Sequence, residues 1–171
     1  SLKQFPTVVV VDDKEMPSHG ALSNPADKAL VQALEGTMIE AYGRVIVEIK
    51  CKAGAGGLVY LNNKMIRDSH VEALCEAVNK YEVKKLLLDG NQLGDAGAEA
   101  IAAMLRTNRS LTSLGLQNNK IGDAGAKAIA AMLRTNRSLT FLQLMANQIG
   151  DAGKQALREA VEGREGFRLY L

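Results

Sequence analysis

The fold is decided by residues 111–139, which read LTSLGLQNNKIGDAGAKAIAAMLRTNRSL. The tripeptide Asp-Ala-Gly in this stretch also stands at residues 95–97 and 151–153, so it recurs every 28 residues. Residues 94–112 and 122–140 are identical except that Glu99 becomes Lys127, which fits a recent duplication or consensus engineering. A fixed period of this length predicts a solenoid, in which each repeat packs on its neighbours.

Each repeat divides into a strand half and a helix half. Leu114 and Leu116 alternate with other residues, as in a strand with one buried face. An asparagine follows each strand, where its amide can satisfy backbone groups freed by the turn: Asn91, Asn119 and Asn147. The helix half starts at the Asp of the tripeptide and continues in good helix formers. We interpret this Asp as the cap of its own helix.

These residues resemble the long leucine-rich repeat of the ribonuclease-inhibitor type, which NOD-like receptors also contain. The resemblance covers residues 83–171 and extends less well to about residue 55. It implies an α/β fold: a short right-handed horseshoe of about four leucine-rich repeats, with parallel inner strands and outer helices. The repeat is reused for many partners, so it specifies a fold more closely than a function.

Two segments flank the repeats. Residues 1–54 read as strand, helix and strand, with the second strand at residues 44–50, and we expect a β-α-β cap; a degenerate repeat is the alternative. Residues 53–57 read as a turn. Residues 55–171 form the predicted repeat domain, whose C-terminal cap combines a helix at 154–163 with a strand at 167–171.

Composition excludes several function classes. The 171 residues are 47% hydrophobic and carry a net charge of +2, which predicts one compact domain and does not indicate nucleic-acid binding. Two histidines, His19 and His70, lack metal-ligand spacing, and we expect both to be solvated. No catalytic motif is present, so we expect no enzyme activity, metal or cofactor. Two cysteines without a disulfide pattern indicate reduced thiols.

The sharper functional prediction concerns the concave side of the sheet, which we call the strand face. In an xLxL strand, the residues between and after the inward leucines point to this face. Eight of them are candidate partner-binding residues: Lys85, Leu87, Asp89, Ser113, Gln117, Phe141, Gln143 and Met145. Val59, Leu61 and Gly115 take the same positions in the pattern. Alternatively, the apolar members are isolated surface residues or are covered by the N-terminal segment.

A second candidate surface is an arginine edge, predicted where the helices end. The 28-residue period stacks four arginines in register: Arg106, Arg109, Arg134 and Arg137. They either complement the helix dipoles or form a docking strip for an acidic protein surface or an anionic lipid headgroup.

The predicted function is a non-catalytic scaffold that binds a protein partner through the strand face. The alternative is a structural accessory subunit of a large multiprotein assembly, organellar or cytoskeletal. We expect a cytoplasmic, intracellular protein without a transmembrane segment, or an organellar one if a targeting segment was removed before Ser1.

Overall fold

The computed structural model describes residues 50–52 and 54–171, all within a compact unit that comprises residues 37–171. Strands and helices alternate in the order β1 (Leu58–Tyr60), α1 (Val71–Lys80), β2 (Lys85–Leu87), α2 (Asp95–Leu105), β3 (Ser113–Gly115), α3 (Asp123–Leu133), β4 (Phe141–Gln143), α4 (Asp151–Val161) and β5 (Arg168–Tyr170). A short 3-10 helix, Asp68–His70, leads into α1. The five strands form one parallel sheet in chain order, so the predicted α/β solenoid is confirmed.

The predictions for the chain ends have different outcomes. Strand β5 confirms the strand expected near the C-terminus. The strand predicted at residues 44–50 is wrong at its last residue, because Lys50 is helical together with residues 51 and 52. The remainder of the predicted N-terminal cap, including His19, lies outside the described residues.

The core lies between the sheet and the helices. Leu114 and Leu116 are fully buried, as are the equivalent leucines of the neighbouring repeats. Helix α3 covers them with Ile129 and Leu133, both of which are also fully buried. Each such side chain contributes about 1.5–3 kcal/mol of burial free energy, so the leucine pattern accounts for the main driving force of folding.

The repeated asparagines satisfy backbone groups at the turns, as predicted, and they also join successive repeats. The Asn119 side chain donates hydrogen bonds to the carbonyls of Leu88 (3.0 Å) and Leu116 (3.1 Å), and its Oδ1 accepts one from the Leu93 amide (3.1 Å). Asn91 and Asn147 make the equivalent bonds to the repeats that precede them. Each asparagine therefore pairs backbone groups of two repeats that would otherwise be buried without partners.

The interpretation of the repeated Asp as the cap of its own helix is wrong. The residue before each of α2, α3 and α4 is a glycine, and no side chain caps these helices from within their own repeats. Instead, Asp95 Oδ1 at the start of α2 accepts hydrogen bonds from the amides of Gly122 (2.7 Å) and Gly125 (2.8 Å) at the start of α3. Because the repeats stack in register, the carboxylate of one repeat satisfies the orphan amides of the next.

Candidate functional site

Parallel pairing arranges the strand face in two rows that cross all five strands. The first row is Leu58, Lys85, Ser113, Phe141 and Arg168, and the second is Tyr60, Leu87, Gly115, Gln143 and Tyr170. The middle residue of each strand points instead to the helices, and the one in β3, Leu114, is fully buried. The structure therefore brings five predicted candidates into one array: Lys85, Leu87, Ser113, Phe141 and Gln143.

The prediction for the first repeat selected the wrong face. Val59 and Leu61 were expected on the strand face, but they are 1% and 0% exposed, whereas Leu58 and Tyr60 are 51% and 56% exposed. The cause is a spacing of 27 residues here, which pairs Leu58 with Lys85 and Val59 with Leu86. All four residues of this Leu-Val-Tyr-Leu sequence are apolar, so alternation alone did not reveal the inward pair.

Apolar side chains concentrate at the two ends of the strand face. At one end lie Leu58, Tyr60 and the half-buried Leu87. At the other end, the Phe141 and Tyr170 rings pack with their centroids 5.4 Å apart and their planes tilted by 43°. Three of these residues, Leu58, Tyr60 and Tyr170, were missed from the sequence. Aligning Leu169–Leu171 with Leu142–Leu144 would have found Tyr170.

A polar network joins Gln143 of the second row to residues that lie two places beyond that row in the other repeats. The Asn62 side chain donates a hydrogen bond to Asp89 Oδ2 (3.2 Å), and Asp89 Oδ1 accepts one from the Gln117 amide (3.0 Å). The Gln117 Oε1 atom accepts a hydrogen bond from Gln143 Nε2 (2.9 Å). Met145 continues this row and is half-buried. Three predicted candidates, Asp89, Gln117 and Gln143, are thus held in place by neighbouring repeats.

The strand face is shallow at its centre, because Gly115 has no side chain. A β-carbon on this residue would lie 2.9 Å from Asp89 Oδ1 and 3.0 Å from Leu87 Cδ2. Gly115 lies on the strand face, as the pattern predicts, and these side chains bury it. The face therefore consists of two apolar ends separated by a shallow polar middle.

The arginine edge lies where the helices end. Arg106 and Arg134 directly follow α2 and α3, and Arg109 and Arg137 lie three residues further along. All four side chains are exposed. Among residues 54–171, the only protein acceptor of a hydrogen bond from these four side chains is the carbonyl of Asn108, which Arg109 contacts at 3.3 Å.

The described residues contain no group of three or more side chains that could hold a metal ion. His70 is completely buried, which corrects the expectation that it is solvated; its Nδ1 accepts a hydrogen bond from the Arg67 amide at 3.0 Å. Burial, with a smaller contribution from Glu76, raises the pKa of the Cys75 thiol to about 11. No helix within the described ranges has the length and apolar character to cross a bilayer.

Comparisons with known proteins agree with this architecture. A family model described as "Leucine Rich repeat" matches residues 83–102, 107–130 and 135–157. No curated protein sequence matches the chain. Among solved structures, "Leiomodin-1 Actin-Binding Site 2 (ABS2)" is similar at 28% identity and a TM-score of 0.62, covering 75% of this chain and 76% of its own. The tropomodulin C-terminal domain of Caenorhabditis elegans is similar at 16% identity and a TM-score of 0.61, covering 73% and 80%.

The tropomodulin likeness shows the fold alone, whereas the repeat model and the parallel strand–helix units agree on the type of repeat. Residues 83–157 therefore contain leucine-rich repeats, and their parallel strand–helix units are of the ribonuclease-inhibitor-like type.

Proposed function

We propose that this protein is a non-catalytic scaffold that binds a protein partner through its strand face. The observation that carries the proposal is the exposure of Tyr60 (56%), Leu58 (51%) and Tyr170 (42%) on one sheet surface. Aromatic side chains are enriched among the residues that dominate binding free energy, since they bury a large area at a small entropic cost. The polar network between the two apolar ends presents a fixed surface to the partner.

The repeat geometry gives the distance between the two apolar ends of the strand face. Neighbouring strands lie about 4.8 Å apart, so Tyr60 on β1 and Phe141 on β4 are separated by about 14 Å across the sheet. A partner that contacts both ends must present two apolar anchors at this spacing. Lys85 and Arg168 are exposed in the first row, which favours a partner with acidic groups beside its anchors.

Actin is the first partner to test, because the leiomodin structure at 28% identity is described as an actin-binding site. The experiment measures binding of monomeric actin to the wild-type chain, to Tyr60→Ala and to Met65→Ala. Met65 is a matched control, since it is 57% exposed but lies outside β1. We expect wild-type binding, at least tenfold weaker binding by Tyr60→Ala, and a change below twofold for Met65→Ala.

The choice of actin as the partner and the choice of the strand face as the binding surface can be refuted separately. Absence of binding by the wild-type chain would remove actin as the partner. A photo-crosslinking amino acid placed at position 60 or at position 65 then tests the surface itself in extract of the source cells. Equal crosslinking from both positions would refute the strand face as the binding surface.

The accessory-subunit alternative remains a proposal, and the likeness to the actin-binding site of leiomodin favours a cytoskeletal assembly. Size fractionation of native extract separates the two functions. Elution at the mass of a single copy of the protein would refute a permanent subunit, and elution within a stable large assembly would refute a free module. The Cys75 thiol forms no disulfide, which supports the proposed intracellular, reducing location.

A further inference from the structure

The last repeat replaces a buried asparagine with an arginine. In the preceding repeat, Asn136 donates hydrogen bonds to the carbonyls of Leu105 (2.6 Å) and Asn108 (3.1 Å). Arg164 stands 28 residues after Asn136 in the sequence. Its Nη1 donates to the Leu133 carbonyl (3.0 Å) at the end of α3, and its Nη2 donates to the Leu139 carbonyl (2.8 Å). The repeat thus fixes a positive charge where earlier repeats have a neutral amide.

The guanidinium of Arg164 is also held by an aromatic ring. Its central carbon lies 4.5 Å from the centroid of the Phe167 ring. Two carbonyls and one ring therefore determine the orientation of the group, and a guanidinium carries five N–H donors, of which the two carbonyl bonds use only two. Remaining donors are available for a ligand without further ordering of the side chain.

A second arginine lines the same cleft. Arg137, Thr140, Gly163, Arg164, Glu165 and Phe167 surround an open cleft of about 430 Å³. Within residues 54–171, no protein group accepts a hydrogen bond from the side chain of Arg137. Desolvation, and then the charge of Arg137, lowers the pKa of Arg164. Two cations thus face one cleft, and an anion between them would relieve their repulsion.

We infer that the cleft between Arg137 and Arg164 binds a dianionic phosphate group. Guanidinium donors match phosphate oxygens in pairs, and two positive charges balance a phosphate dianion. Glu165 also lines the cleft, and because its negative charge opposes an anionic ligand, its removal should strengthen binding. The site is on the arginine edge and does not depend on the proposed function of the strand face.

The test is a titration of the full chain with inorganic phosphate at pH 7.5 and constant ionic strength. The arginine side-chain Nε–H resonances are followed by NMR. We expect half-saturation at about 1–10 mM, with the largest shifts at Arg137 and Arg164. Arg137→Gln should weaken binding at least fivefold, and Glu165→Gln should tighten it about two- to fivefold. Arg106→Gln is the matched control and should leave binding unchanged, since Arg106 lies outside the cleft.

Other results would either overturn phosphate binding at the cleft or identify the source of the phosphate group. Equal shifts at Arg106 and Arg137, or unchanged binding by Arg137→Gln, would show general charge screening and overturn the inference. Absence of saturation up to 50 mM phosphate would also overturn it. A phosphoserine tripeptide serves as a second probe: tighter binding than inorganic phosphate assigns the site to a phosphorylated protein segment, and equal or weaker binding assigns it to free phosphate.

Discussion

Asp95 offers a direct test of how the repeats stabilise one another. Its carboxylate accepts two hydrogen bonds from amides of the next helix, at 2.7 and 2.8 Å. Asp95→Ala leaves both amides without this acceptor. Asp151 takes the same first position in α4, but among the described residues no backbone amide donates to its side chain. Asp151→Ala is therefore a matched control.

The expected magnitudes follow from these contacts. Loss of an N-terminal cap costs about 0.5–2 kcal/mol, and a hydrogen bond to a charged acceptor contributes about 1.5–3 kcal/mol. Two such hydrogen bonds at the lower end of the second range contribute about 3 kcal/mol together, and because Asp95 is partly exposed we expect a loss of about 2–3 kcal/mol. Asp151→Ala should cost about 0.3–1 kcal/mol, since only the interaction of the carboxylate with the dipole of its own helix is lost.

Urea unfolding followed by circular dichroism measures both variants against the wild-type chain. We expect Asp95→Ala to be less stable than Asp151→Ala by about 2 kcal/mol, or about 4–8 °C in the melting temperature. Equal losses in the two variants would show that the dipole interaction accounts for the whole effect. The conclusion that each carboxylate caps its neighbour would then be wrong.

Three further predictions concern single positions. Ala146 has a φ of 55°, so Ala146→Gly should stabilise the chain by up to about 1 kcal/mol in urea unfolding; a loss of stability would contradict this. Gly125→Ala should destabilise by about 1–3 kcal/mol, because its β-carbon would lie 2.8 Å from Ala98 Cβ; a neutral result would show that the helices separate easily. Cys75 should react with iodoacetamide at pH 8 about 100-fold more slowly than a thiol of pKa 9, and faster as pH rises towards its pKa of about 11. Peptide mass spectrometry measures this rate, and ordinary reactivity at pH 8 would refute the raised pKa.

Residue patterns within one repeat were sufficient to predict its local structure. The alternation around Leu114 predicted strand β3, and the Asp-Ala-Gly sequence marked where α2, α3 and α4 begin. Local propensity and hydrophobic period act within about ten residues, so they can be read from a single repeat. The arginine positions at the helix ends followed from the same period.

Contacts between repeats were harder to assign. The period places Asp95 and Asp123 at equivalent points, so the sequence cannot distinguish a cap within a repeat from a cap on the next one. The stacking distance decides this, and it brings Asp95 to Gly122 and Gly125. The same applies to Arg164, whose equivalence to Asn136 is visible in the sequence but whose carbonyl partners are not.

The sequence by itself determined the repeat period, the alternation of strand and helix, and the inward leucines, because these depend on local propensity and on burial of apolar side chains. Only the tertiary structure decided which side chains share the strand face and which groups meet across repeats. A shift of one residue moves a strand's side chains to the opposite face. The 27-residue offset at β1 produced such a shift, exposing Leu58 and Tyr60 instead of Val59 and Leu61.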